Sequence, residues 1–78
     1  MDRASILEAI VRLTAETLEV DEEALSEDTT FDDLDADSFD KLELVTALED
    51  EFGMRLDDEV LEAITSIREA VDAVENAQ

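Results

Sequence analysis

Ser38 sits in the stretch Asp35-Ala36-Asp37-Ser38-Phe39-Asp40, with an acid on its N-terminal side and another two residues on. Asp37 is a good N-cap, and Asp40 falls three residues later, where a carboxylate opposes the positive end of a helix. Ser38 is then the first residue of that helix, its hydroxyl next to backbone N–H groups that have no intrahelical partner. Such a hydroxyl suits a phosphodiester linkage. It is not a nucleophile in its own right: the chain has no histidine and no cysteine, and only five basic residues. If Ser38 reacts, another protein activates it. By position alone an ordinary helix-start serine is the favoured reading.

The elements around Ser38 follow from apolar spacing. Ile6, Leu7, Ile10, Val11, Leu13 and Leu18 recur at three- and four-residue steps and predict a first helix with a broad apolar stripe. Ser5 with Glu8 reads as its capping box, and an earlier start at Asp2 is also compatible. Residues 19–36 are acidic and rich in Ser, Thr and Asp, with Val20, Leu25, Phe31 and Leu34 available to tack a long loop onto the bundle. An ordered loop of that length in a small domain is usually functional. Leu42, Leu44, Val45, Leu48 and Phe52 carry the second helix to Gly53, a C-terminal stop. Asp57-Asp58-Glu59 opens a short third helix to about Ala63. Ser66 with Glu69 starts a last helix through Ile67, Ala70, Val71 and Val74, leaving a short tail at Asn76-Ala77-Gln78. The expected fold is all-α: a small four-helix bundle of three longer helices and one short one, with a long loop after the first helix, forming one domain over residues 1–78.

Charge sets the partner class. Twenty-five acids against five bases give a net charge of −20, and ten of the acids fall within residues 21–40. Such a field repels nucleic acid and anionic membranes and steers basic partners into encounter. Without cysteine there are no disulfides and no thiolate metal sites. The N-terminal stretch has no apolar run of signal-peptide or membrane-spanning length, which makes a cytoplasmic protein the default.

The segment Leu34-Asp35-Ala36-Asp37-Ser38-Phe39-Asp40-Lys41-Leu42-Glu43-Leu44-Val45, followed by Ala47-Leu48-Glu49-Asp50-Glu51-Phe52, resembles the recognition segment of bacterial acyl carrier proteins. That family's pattern is a loop ending Leu-Gly-Ala-Asp-Ser-Leu-Asp, then a Glu-Leu-Val helix with an acidic Glu-Glu-Glu-Phe end. The similarity extends back to Phe31 and on through Asp58-Glu59, Ile64 and the Ala-Val last helix. Asp35 replaces the usual Gly, Phe39 replaces the Leu after the serine, and the Phe31-to-Leu34 segment is one residue shorter. The Gly change matters only if that position needs a positive φ, which Asp tolerates better than most residues.

The resemblance implies a non-catalytic carrier whose cofactor is 4'-phosphopantetheine, transferred from coenzyme A to Ser38 by a phosphopantetheinyl transferase. The arm's thiol would hold acyl groups as thioesters for synthases, reductases, dehydratases and acyltransferases, most simply in fatty acid biosynthesis. A dedicated polyketide or other specialised acyl pathway is the alternative. Basic patches on these partners would meet Asp37, Asp40, Glu43, Glu49 and Asp50, with Phe39, Leu42 and Thr46 as the less polar strip between them. Phe31, Leu44, Leu48, Leu56 and Ile64 are the implied lining for an acyl chain, and ordinary core accounts equally well for each. The carrier is expected to act as a monomer, with no nucleic-acid partner and no membrane insertion.

Two rival readings have less support. Asp33, Asp35 and Asp37 alternate as in a calcium loop, but its sixth position is Ser38 rather than Gly and its twelfth is Leu44 rather than Glu. An acidic inhibitor or nucleic-acid mimic rests on charge alone.

Self-repulsion at this charge weakens the compact state, and salt screens it. The melting temperature therefore rises by several degrees between low and moderate sodium chloride, and further with a divalent cation. A scanning-fluorimetry series checks this.

Overall fold

The computed structural model describes residues 1–77. Four α-helices are formed among them: α1 (Arg3–Leu18), α2 (Ser38–Phe52), α3 (Asp58–Ala63) and α4 (Ile67–Ala77). Gln78 lies outside the described residues, and the rest of the expected tail is helical, since α4 runs on through Ala77.

The start of α1 corrects the expected capping box. Asp2, not Ser5, is the N-cap, and its carboxylate accepts from the Ser5 amide at 2.8 Å. Three residues after the cap, Ser5 is the donor rather than the capping acceptor, and Asp2 fills the role with a full negative charge. The helix ends at Glu19, whose left-handed backbone (φ 57°) lets its amide reach the Ala15 carbonyl. At the end of α2, Gly53 (φ 61°) turns its amide back to Glu49 in the same way, without the Cβ clash that most residues would meet.

The apolar stripes meet in one core. Ile6, Ile10 and Leu13 of α1 pack with Leu44 and Leu48 of α2 and with Ile67, Ala70, Val71 and Val74 of α4, joined by Phe31 and Ile64. Phe52, at the end of the Leu44–Leu48 line, is only partly buried. Thr14 is fully buried, and its hydroxyl has no hydrogen-bond partner among the described residues. Its position on the buried face of α1 is the only sign of this in the sequence.

The 19–37 connection has more structure than its composition suggests. It holds one turn of 3₁₀ helix at Glu22–Ala24. Beyond that, it pairs in extended form with the start of α4. The Phe31 amide donates to the Thr65 carbonyl, the Ile67 amide to Thr29 and the Arg68 amide to Glu27, each at 3.0 Å, around a Thr30–Ser66 bridge. Phe31 then enters the core while its backbone is held at the surface.

Ion pairs reinforce the same joints. Arg3 reaches Glu27 of the loop at 2.6 Å and Asp72 and Glu75 of α4 at 2.8 and 3.1 Å. The hydrogen bonds it donates to Asp72 and Glu27 hold its guanidinium well above its ordinary range. Arg68 binds Asp28 at 2.8 Å, and Arg12 ties α1 to Glu51 at the end of α2.

The start of α4 is held by a wider cap than Ser66 alone. The Glu69 carboxylate accepts from the Thr65 hydroxyl, from the Thr65 amide at 3.0 Å and from the Ser66 hydroxyl at 3.3 Å. Those bonds, the Thr65 hydroxyl's first, lower the Glu69 carboxyl from its ordinary value of 4.5. A carboxylate with a depressed value stabilises the fold above the unfolded-state value and loses that contribution as pH falls through the folded one. Wild type should therefore exceed Glu69→Gln in melting temperature at neutral pH, with the gap closing as pH falls below 4.5. Paired thermal melts from pH 7 downward, with ionic strength held constant, check this.

Candidate functional site

The long loop delivers the chain to α2 through a tight turn. The Leu34 amide donates to Phe31, the Asp35 amide to Asp32 and the Ala36 amide back to Phe31, at 3.2, 3.1 and 3.0 Å. Asp35 has φ 56°, inside the left-handed region. The position therefore does require a positive φ, and Asp meets it as one of the few side chains that do so at modest cost.

Asp37 and Asp40 then form a reciprocal capping box. The Asp40 amide donates to the Asp37 carboxylate at 2.8 Å and the Asp37 amide to the Asp40 carboxylate at 3.3 Å. Both acids are thus engaged in fixing the helix start. The cap leaves the amides of Ser38 and Phe39 with no acceptor among the described residues. Ser38 is exposed as the first helical residue. It borders a surface groove of about 330 Å³, with Lys41 and Leu42 of α2 on one side and Leu61 and Glu62 of α3 on the other.

The outer face of α2 carries the rest of the expected docking set. Phe39 is 66% exposed and Leu42 53%, high values for large apolar side chains. Glu43, Thr46 and Asp50 are exposed beside them. The Thr46 hydroxyl is turned back onto the Leu42 carbonyl, to which it donates at 2.9 Å. Glu49 is half-buried, and its carboxylate accepts from the Leu56 amide at 2.8 Å, so it also braces the α2–α3 connection.

Of the five expected lining residues, Phe31, Leu44, Leu48 and Ile64 converge on a cavity of only about 10 Å³, closed by Val45, Ala70 and Lys41. Leu56 lies elsewhere. It lines an open cleft between α3 and α4, which Ile64 also borders. The alternating acids are not gathered: Asp33 closes a turn with Thr30, the Asp33 amide donating to the Thr30 hydroxyl at 3.1 Å. Among the described residues no three carboxylates come together as a metal site.

Residues 8–74 match the family described as the phosphopantetheine attachment site. An acyl carrier protein of Rubrobacter xylanophilus is 48% identical over 75 residues, covering 95% of this chain and 93% of that one. One from Thermosynechococcus vestitus is 38% identical over 77 residues, covering 97% and 95%. The chain belongs to the acyl carrier proteins. Solved structures agree with that membership. The acyl carrier protein of Enterococcus faecalis superposes with a TM-score of 0.83 at 30% identity over the whole of both chains. That of Thermotoga maritima gives 0.84 at 32% identity, over 99% of this chain and 91% of that one.

As an acyl carrier protein this chain is a carrier and not a catalyst, and its cofactor is 4'-phosphopantetheine. The residues present fit such an arm. An exposed hydroxyl stands beside two amides without acceptors, and a groove with apolar and charged walls leads from it. Leu61, Glu62 and Lys41 were not among the expected site residues. Leu61 and Glu62 lie on a short helix whose orientation no periodicity reveals. Lys41 could have been found from its spacing, three residues after Ser38.

Because the left-handed backbone at Asp35 aims this segment, Asp35→Val should lower stability by about 1–2 kcal/mol, while Asp35→Gly stays close to wild type. Urea unfolding followed by circular dichroism separates the two.

Proposed function

We propose that Ser38 is the attachment point of the 4'-phosphopantetheine arm and that this carrier serves fatty acid biosynthesis in the cytoplasm, as a monomer formed of one domain over residues 1–78. The observation that carries the reading is the exposed Ser38 hydroxyl at the capped start of α2, opening on the Lys41–Leu61 groove. The arm supplies a thiol that holds acyl groups as thioesters, which a chain without cysteine otherwise lacks. The chain's own residues present and orient that arm. The Asp37–Asp40 box fixes the direction of the helix start, and the turn at Asp35 leads the loop into it. The chain has no histidine, and the flanking Asp37 and Asp40 carboxylates are committed to the helix cap, so a phosphopantetheinyl transferase supplies the base.

Docking falls to the outer face of α2. Asp37, Asp40, Glu43, Glu49 and Asp50 meet Arg and Lys patches on synthases, reductases, dehydratases and acyltransferases, around the apolar strip of Phe39, Leu42 and Thr46. Exposed ion pairs of this kind are individually weak and act mainly on encounter rate and orientation. A shuttle must release each enzyme quickly, and that weakness suits it. Phe31, Leu44, Leu48 and Ile64 are the residues an acyl chain displaces on entering the bundle, and their cavity is nearly closed until then. No helix is long and apolar enough to cross a membrane among the described residues.

A dedicated carrier for a polyketide or other specialised acyl pathway is the second reading. It is favoured by the bulk and exposure of Phe39 at the centre of the docking face.

Incubation with coenzyme A and a broad-specificity transferase should add the mass of one arm to the wild type and nothing to Ser38→Ala. Intact-protein mass spectrometry reads both. No gain on the wild type, or an equal gain on the variant, overturns the Ser38 assignment.

A further inference from the structure

We infer that Lys41 is a positioning residue for the arm, its ammonium serving as the counter-charge to the phosphodiester on Ser38. The inference rests on the reading that Ser38 carries that arm. Lys41 is the one lysine in the chain, and no other basic residue lies between Arg12 and Arg55. It stands three residues after Ser38 on α2, a spacing that makes two helical residues neighbours. Long helical side chains lean back toward the N-terminus of their helix, and for Lys41 that direction is toward Ser38. Both residues border the same groove.

Lys41 is also uncommitted. Arg3, Arg12 and Arg68 are engaged in ion pairs, whereas Lys41 forms none among the described residues, although Asp37, Asp40 and Glu62 are close by in the chain or across the groove. Lys41 is half-buried and also borders the small apolar cavity lined by Phe31 and Leu44. A half-buried stem with a free charged head is the arrangement in which a lysine holds its place while its ammonium adjusts.

The need for such a charge is electrostatic. A phosphodiester adds a further negative charge to a chain already at −20, beside Asp35, Asp37 and Asp40. Attachment thus raises local repulsion, and the one cation within reach offsets it. That pairing also draws the root of the arm toward the groove between α2 and α3 instead of leaving it free in solvent.

The test compares apo and fully converted holo protein, each verified by intact mass, for wild type, Lys41→Met and Lys41→Arg at low salt. Met keeps the stem and removes the charge, and Arg keeps the charge. Conversion to holo should depress the melting temperature of Lys41→Met by about 2–5 °C more than that of wild type. Lys41→Arg should follow wild type, and about 1 M sodium chloride should remove the difference. Carbon-13 lysine labels this single side chain, and its ε-methylene resonance should move on arm attachment at low salt and return toward the apo position at high salt. Full mass gain with equal melting shifts in wild type and Lys41→Met, or with an unmoved lysine resonance, overturns the role of Lys41 alone. No mass gain on the wild type overturns the Ser38 reading and this inference with it. If Lys41→Met fails to fold, the wild-type lysine resonance decides.

Discussion

Three backbone hydrogen bonds between the long loop and the first turn of α4 hold the rest of the structure in register. They run from Phe31 to Thr65, from Ile67 to Thr29 and from Arg68 to Glu27. A connection of this length has a large conformational entropy when free, and its closure is costly without fixed contacts. Pairing removes that freedom at three points. It places the Phe31 ring in the core and starts the turn that ends at Asp37. The reciprocal box at Asp37 and Asp40 then sets where α2 begins, and with it the direction of the Ser38 hydroxyl. Arg3 and Arg68 clamp the same joint from both sides, on acids of the loop and of α4.

The charge distribution has to be understood against this scaffold. Few bases are present, and most of them are used at the seams between elements instead of on the open surface. Arg3, Arg12 and Arg68 each bridge two parts of the chain. Seams that would otherwise hold only acids are thereby neutralised, while the outer face of α2 stays strongly negative around Phe39 and Leu42. One composition thus gives both cohesion at the seams and a strongly negative outer face.

Helices were legible in the sequence because their signals are local. The apolar steps from Ile6 to Leu18 and from Leu42 to Phe52, the Asp37 cap and the Gly53 stop each act within a few residues. The start of α1 was less clear, because Ser5-Glu8 and Asp2 offer competing caps and only the backbone path decides between them. The Thr30–Ser66 bridge was not legible, since it joins segments 36 positions apart with no strand-like alternation in either. The capped helix start at Ser38 was legible from Asp37 and Asp40. The walls of its groove were not, because Leu61 and Glu62 meet α2 only through the tertiary fold. Leu56 was grouped with Phe31 and Leu44 by the family resemblance, and it instead borders the cleft toward α4, with its amide held by the Glu49 carboxylate.

Phe31 has a double position in this fold. Its ring closes a cavity with room for no more than about one water molecule, while its amide is bonded across to Thr65. Interiors packed this tightly do not admit a guest without moving a wall. The backbone of the same residue carries the bridge contact to Thr65 and the turn that leads to Asp37. The interior and the surface are thus joined through one residue, whose ring helps close the core cavity while its amide holds the loop to the start of α4.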